Sequence, residues 1–191
     1  MVFCVVTADK DLAAAKEAAP YLAPGAFWFD GNSCAPGTKR AAAEVIAAAS
    51  GRYVDVAIMA PVHPKLNRTP LLVAGEAARE AADVLRGLDM QPEISGERVG
   101  DASAIKMIRS VMIKGIEALT AECLLAARRA GVDEAVVASL QASDPAVDWS
   151  SRSAYCLERM IVHGNRRAAE MREVAATLRE FGLPDRMASA T

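Results

Sequence analysis

The sequence predicts an α/β unit followed by an all-α unit: a partial Rossmann-type parallel sheet over residues 1–99, then a helical domain over residues 100–191. Three observations carry this. Short β-branched and aromatic runs alternate with helix-like stretches through residue 98, the pattern of strands joined by crossover helices. Beyond residue 100 every stretch has helical spacing. The two halves meet in one uninterrupted amphipathic segment, residues 100–129, which at 1.5 Å per residue is long enough to serve both.

The elements follow in order. VFCVVT, residues 2–7, reads as a strand, and DKDLAAAKEAAPYL after it as a helix opened by aspartates. FWFD at 27–30 is a second strand, leading through NSCAPG into an alanine-rich helix over 38–49. Residues 53–62 and 71–75 are the third and fourth strands, separated only by the polar loop HPKLNRT. GEAAREAADVLRGLD is a helix, and MQPEISG an edge strand. In the long segment Ile105, Ile108, Met112, Ile116, Leu119 and Cys123 recur in steps of three and four, which predicts a buried stripe. Asp101 or Ser103 is placed to cap its start, and Gly131 to end it. A helix follows over VDEAVVASLQAS, and a last one runs from about residue 151 to 181 before the stop at Gly182 and Pro184. Tyr155, Met160, Met171, Val174, Leu178 and Phe181 are its expected core.

Composition narrows the function. With 52% hydrophobic and 24% charged residues among 191, the chain is expected to fold as a globule, and a net charge of -2 argues against a broad nucleic-acid surface. The four cysteines show no CxxC spacing, and two histidines add little, so no metal site is expected. They read as reduced thiols of a cytoplasmic protein. No apolar run approaches the ~18 residues that cross a membrane.

In a sheet of this kind ligands gather at the carboxyl ends of the strands. Those positions are Thr7 and Ala8, then Asp30 to Pro36, then Ala60 to Lys65. On the long helix Lys106, Ser110 and Lys114 follow one another at i+4 with Arg109 beside them. This face is either solvated, or an anion site in which a lysine shielded from water works as a base near neutral pH. On the last helix His163, Asn165, Arg166 and Arg167 share about a turn and a half. They form either an anion-binding turn or, with Glu170 and Glu173, a solvated ladder of ion pairs. Gly164 in mid-helix costs about 1 kcal/mol relative to alanine, which predicts a close neighbour there.

The residues from Gly100 resemble the interdomain helix of the 3-hydroxyisobutyrate and 6-phosphogluconate dehydrogenase superfamily. Its signature is a glycine-led turn, a catalytic lysine and an asparagine four residues later. Gly100 and Lys106 match; Ser110 replaces the asparagine. DGNSCAPGTKR resembles the superfamily's D-x-S-T-x-x-P-x-T stretch beside the nicotinamide ribose and substrate, with Asn32 and Ser33 in the Ser-Thr positions. Either residue is also placed to cap the helix that follows, and the two roles can coexist. APVHPK keeps only the Ala-Pro-Val half of the substrate-carboxylate motif A-P-V-S-G-G, with His63, Pro64 and Lys65 for the rest. The run RMIVHGNRRAAEM is most similar to a less characterised branch of NAD(P)-dependent oxidoreductases with a distinctive helical C-terminal domain.

The resemblance implies a dehydrogenase of the β-hydroxy acid type, taking hydride from a secondary alcohol of a small anionic hydroxy acid onto NAD or NADP. Lys106 would be the base. Asn32, Ser33 and Ser110 would orient substrate, His63, Lys65, His163 and Arg166 would bind its anionic end, and Thr7, Ala8 and Asn32 would border the cofactor. A homodimer through the helical domain is implied as well. No G-x-G-x-x-G occurs in the sequence, so the half of the Rossmann domain that cradles the pyrophosphate is expected to be missing. The chain then reads as a fragment, a start-site error or a genuine short form, and cofactor binding by it alone is in doubt. An exposed strand edge with apolar surface should follow. A non-catalytic dimerisation or binding module is the alternative reading.

Overall fold

The computed structural model describes residues 1–191. Five strands, β1 (Val2–Cys4), β2 (Phe27–Asp30), β3 (Arg52–Ile58), β4 (Pro70–Ala74) and β5 (Gln91–Gly96), form one sheet in sequence order. The helices are α1 (Asp11–Ala18), α2 (Pro36–Ala48), α3 (Ala78–Gly87), α4 (Asp101–Ala130), α5 (Asp133–Ser143), α6 (Trp149–Glu180) and α7 (Arg186–Ala190). The expected architecture is there, a small mostly parallel sheet followed by long helices, with α7 unforeseen. No helix is long and apolar enough to cross a membrane.

The sheet departs from the all-parallel expectation at one pairing. β1, β2 and β3 are parallel, β4 runs antiparallel to β3, and β5 is parallel to β4. The cause is the connection. A parallel return needs a crossover of about a dozen residues or more, normally a helix, and the polar loop between β3 and β4 holds only a short 3-10 turn. The chain simply folds back.

Side chains alternate across a strand, and the register follows from that. Trp28 pairs with Tyr53 and Asp30 with Asp55, so these four lie on one face, against α1 and α2. Phe29, Val54, Val56, Leu71 and Val73 point the other way and pack on Ala78, Ala81, Ala82 and Leu85 of α3. α4 begins on the first face, where Ala102 meets Ala57 and Ala74. β1 is the edge, and Phe3, Val5 and Val6 are exposed there, as expected.

The first face carries buried charge. Lys39 of α2, with no solvent exposure, sits over the neighbours Asp30 and Asp55: its Nζ lies 2.8 Å from Asp30 Oδ1, 2.8 Å from the Asp30 carbonyl and 3.7 Å from Asp55 Oδ1. The Tyr53 hydroxyl donates to Asp30 Oδ2, and Asn32 Nδ2 donates to Asp11 Oδ1 at 2.5 Å. Burial, with Asp30 alongside, pushes the Asp11 carboxyl up to about 7.

α4 is capped by neither of its own expected residues. Asp55 Oδ2 accepts from the amides of Gly100 (3.1 Å) and Ser103 (3.0 Å), a cap supplied by β3. Gly100 has φ 109° there, a conformation that side chains other than glycine's rarely adopt. At the far end Gly131 closes the helix in the left-handed region, as the sequence predicts.

The predicted buried stripe of α4 is inverted. Ile105, Ile108, Met112 and Leu119 are exposed, as is Cys123, while Ser110, Lys114 and Glu117 are buried with Met107. α4 and α6 pack antiparallel, and the apolar core they share with α7 is short: Met107, Met171, Val174, Ala175 and, from α7, Ala188. Beyond it the seam is ionic. Of the expected α6 core, Met171 and Val174 are buried, whereas Tyr155 and Phe181 are about half exposed. The close neighbour predicted at Gly164 is absent, since a Cβ there would meet nothing within 4 Å. Sequence periodicity locates apolar faces without saying which of them this chain itself covers.

Candidate functional site

α6 is fixed to the sheet half by two carboxylates at the start of α2. Glu173 Oε2 accepts from the Ala35 amide at 2.7 Å and the Thr38 hydroxyl at 2.8 Å. Glu180 Oε2 accepts from the Gly37 amide at 3.0 Å and pairs with Arg40. Orphan amides and the positive end of a helix favour an anion, so these contacts are attractive twice over. They hold the C-terminal part of α6 against the start of α2, and α4 begins beside the same turn, where Gly100 faces Pro36 and Arg40.

Lys106 lies in that corner, one and a half turns into α4 and partly buried. Its amine makes no ion pair. Burial pushes its pKa down to about 8; Glu170 opposes the shift, while Lys39, Lys114 and Arg166 add to it. These groups belong to α6, α2 and α4, so Lys106 lies where the three helices meet. Ser110, one turn on and buried, donates its hydroxyl to the Lys106 carbonyl at 2.9 Å.

Across the seam Glu170 of α6 is buried, with Lys114 Nζ at 2.6 Å and Arg166 on its other oxygen. One turn deeper Arg167 pairs with Glu117, both buried. The solvated ladder considered for this stretch therefore turns inward at Arg167 and Glu170. Arg166 stays half exposed, so its guanidinium is open to an anion. His163 is partly buried nearby.

Other candidates lie elsewhere. Asn32 is buried, and its amide nitrogen faces Asp11 and Cys4 Sγ. Its backbone amide closes on Asp30 Oδ1 at 3.0 Å. Neither Asn32 nor Ser33 caps α2. Ser33 is partly buried with its hydroxyl unengaged, and Thr7 is exposed beside the buried Ala8. His63 and Lys65 are exposed on the β3–β4 loop, their side chains in no hydrogen bond or ion pair. The seam thus gathers Lys106, Ser110 and Arg166, with His163 one turn before Arg166 on α6.

Comparison with solved structures assigns the family. The conserved protein MTH1747, of unknown function and described as structurally similar to 3-hydroxyacid dehydrogenases, is 34% identical, with 94% of this chain matched to 67% of that one at a TM-score of 0.72. The chain belongs to the 3-hydroxyacid dehydrogenase-like proteins. A conserved hypothetical protein of Sinorhizobium meliloti 1021 is 46% identical over 99% of this chain with a TM-score of 0.78. This chain spans 63% of that protein's length. The 3-hydroxyisobutyrate dehydrogenase of Salmonella typhimurium shares the fold, at 16% identity and a TM-score of 0.69 over 98% of this chain and 70% of its own. Residues 127–191 match the domain of unknown function DUF1932. In this dehydrogenase-like chain, then, α4 up to its last turn lies outside the DUF1932 match.

Sequence reading missed three members of the site. Nothing in the sequence pattern singles out Lys39, and only its register over Asp30 and Asp55 shows its place. Lys114 was recognised as part of a cationic face, but its partner is on another helix. Glu170 was read as part of a ladder. A signal existed for it: an acidic residue four after Arg166 with Ala168, Ala169 and Met171 around it belongs as easily to a packed face as to a wet one.

Proposed function

We propose that this dehydrogenase-like chain carries the base-bearing part of an NAD(P)-dependent oxidoreductase acting on a small anionic hydroxy acid, with Lys106 as general base. The observation that carries the reading is the unpaired Lys106 amine under cover of α2 and α6, its proton affinity reduced to about 8. Such an amine is neutral in a usable fraction near physiological pH. Lys106 Nζ would take the alcohol proton as the carbinol carbon is oxidised to a ketone. A nicotinamide, when bound, would supply the hydride acceptor. Ser110 and Ser33 offer hydroxyls to orient the alcohol, and Arg166 with His163 offers charge to its carboxylate or phosphate.

The residues present fit the nicotinamide end of such a cofactor better than its diphosphate. Thr7, Ala8, Asn32 and Ser33 would border the nicotinamide at the ends of β1 and β2, but the amides that open α2 are filled by Glu173 and Glu180, and the sequence has no G-x-G-x-x-G. Calorimetric titration with NADH and NADPH at millimolar concentration tests the reading. Weak binding that Lys106→Ala leaves in place is the expected result; no binding of either nucleotide favours the module without catalysis.

The exposed stripe of α4 supports the homodimer, which we also propose. α5 buries none of its residues within the chain, and an isolated eleven-residue helix is marginal in water. An open groove of about 680 Å³ beside it is lined by Leu124, Leu125, Val137 and Leu157. Ile161 and Val162 project nearby, 81% and 63% exposed. A second copy offers the same long apolar stripe and can fill the groove. Sedimentation should report a dimer, and Ile108→Glu with Met112→Glu a monomer with less helix; a monomeric unsubstituted chain ends the proposal.

A further inference from the structure

Of the cations on the seam between α4 and α6, Lys106 alone lacks an acidic partner. Lys114 and Arg166 share Glu170, each through its own oxygen, and Arg167 has Glu117. Behind them Lys39 is held by Asp30 and Asp55. Arg166 reaches Glu170 along one turn of α6, and Lys114 reaches it across the helix pair. One buried carboxylate thus gathers two cations from two helices.

We propose that Glu170 is the positioning residue of the lysine site, drawing Lys114 and Arg166 onto its two oxygens so that Lys106 is left free among fixed charges. The inference rests on the reading of Lys106 as the base, and it adds a residue that acts through its neighbours without touching substrate. Had Glu170 bound Lys106 directly, the pair would hold the proton on the amine and block its use as a base. With both oxygens occupied, Glu170 acts on Lys106 only through space. Glu170 and Arg166 from α6, Lys39 from α2 and Lys114 on its own helix act on Lys106, and His163, one turn before Arg166, is a further titratable group on that side of α6. Asp55 of β3 is turned to Lys39 and to the amides that open α4. Without Glu170, three cations would face one another in a poorly hydrated seam, and Lys106 would release its proton more readily.

The test reads the amine itself. In the full chain with lysines reductively methylated with ¹³C, the Lys106 resonance is assigned by its loss in Lys106→Arg and titrated by NMR. Glu170→Gln is expected to lower its midpoint by about half a pH unit or more, Glu170→Asp to recover most of that, and Lys114→Met to raise it. A midpoint unmoved by both Glu170→Gln and Lys114→Met overturns the proposal. If Glu170→Gln does not fold, Lys114→Met decides alone, an upward shift supporting the proposal and an unchanged midpoint overturning it. Since no turnover is needed, an inactive chain with the expected midpoints would count against the dehydrogenase reading and leave the role of Glu170 intact. In an active chain the acid limb of kcat/KM moves with the midpoint.

Discussion

Lys106→Ala is expected to slow hydride transfer by about 100-fold or more while changing nucleotide affinity little, the range in which a positioned general base contributes. The geometry explains the size. Lys106 is the unpaired amine of the corner; Lys114, the next lysine on that face, is tied to Glu170 and cannot swing in without breaking a buried ion pair. The pH dependence has a definite sign. The base is the neutral amine, and burial together with Lys39, Lys114 and Arg166 brings its midpoint down to about 8. Alcohol oxidation should therefore rise about tenfold per pH unit below that value and level off above it, whereas ketone reduction, which needs the ammonium, should fall above it. Lys106→Arg, charged throughout this range, should be as slow as alanine in oxidation. A single-turnover rate in Lys106→Ala within a factor of about three of the parent would remove this residue from the chemistry.

Parts of this site were legible in the sequence because they depend on neighbours in the chain. The turn at Gly100, the length of α4 and its stop at Gly131 are local, and the same holds for most strands and helices. Lys106 stood out through its spacing from Gly100 together with the resemblance. What failed depends on contacts across the fold. Nothing near Asp55 in sequence says that it will cap a helix that starts at residue 101, and nothing near Ala35 says that Glu173 will fill its amide. The inverted face of α4 is the sharpest case. Periodicity identified the apolar stripe of Ile105, Ile108, Met112 and Leu119, yet the chain turns the ionic face of Lys106, Ser110 and Lys114 toward α6. That choice puts the Lys106 amine under cover and leaves the apolar stripe exposed. The antiparallel β4, by contrast, was readable: residues 59–69 are too few to form a crossover helix and return the strand in parallel.

Lys39→Met should cost about 3–5 kcal/mol of stability at pH 8, the usual result of removing one partner from a buried charge pair. Against a total of about 5–15 kcal/mol for a typical domain, that is enough to unfold part of the population. The loss comes from what remains. Asp30, Asp55 and Lys39 have no exposure, so methionine would leave two carboxylates adjacent in register with no cation between them. The pH dependence separates this cause from lost packing. In the parent chain Lys39 holds the Asp30 carboxyl below its ordinary range, against the effect of burial, so its stabilisation is present above the unfolded pKa and is lost as pH falls through the folded one. Without Lys39, burial raises the Asp30 carboxyl, and the penalty grows as pH rises above about 4, where the unfolded chain ionises freely. Chemical denaturation should then show a larger deficit at pH 8 than at pH 5, and a pH-independent deficit would refute this origin. Asp11, already pushed up to about 7 beside Asp30, belongs to the same titrating group. The consequence extends to the lysine site, because Asp55 also holds the amides of Gly100 and Ser103. A variant with Asp30→Asn added to Lys39→Met removes one stranded charge and should recover part of the lost stability.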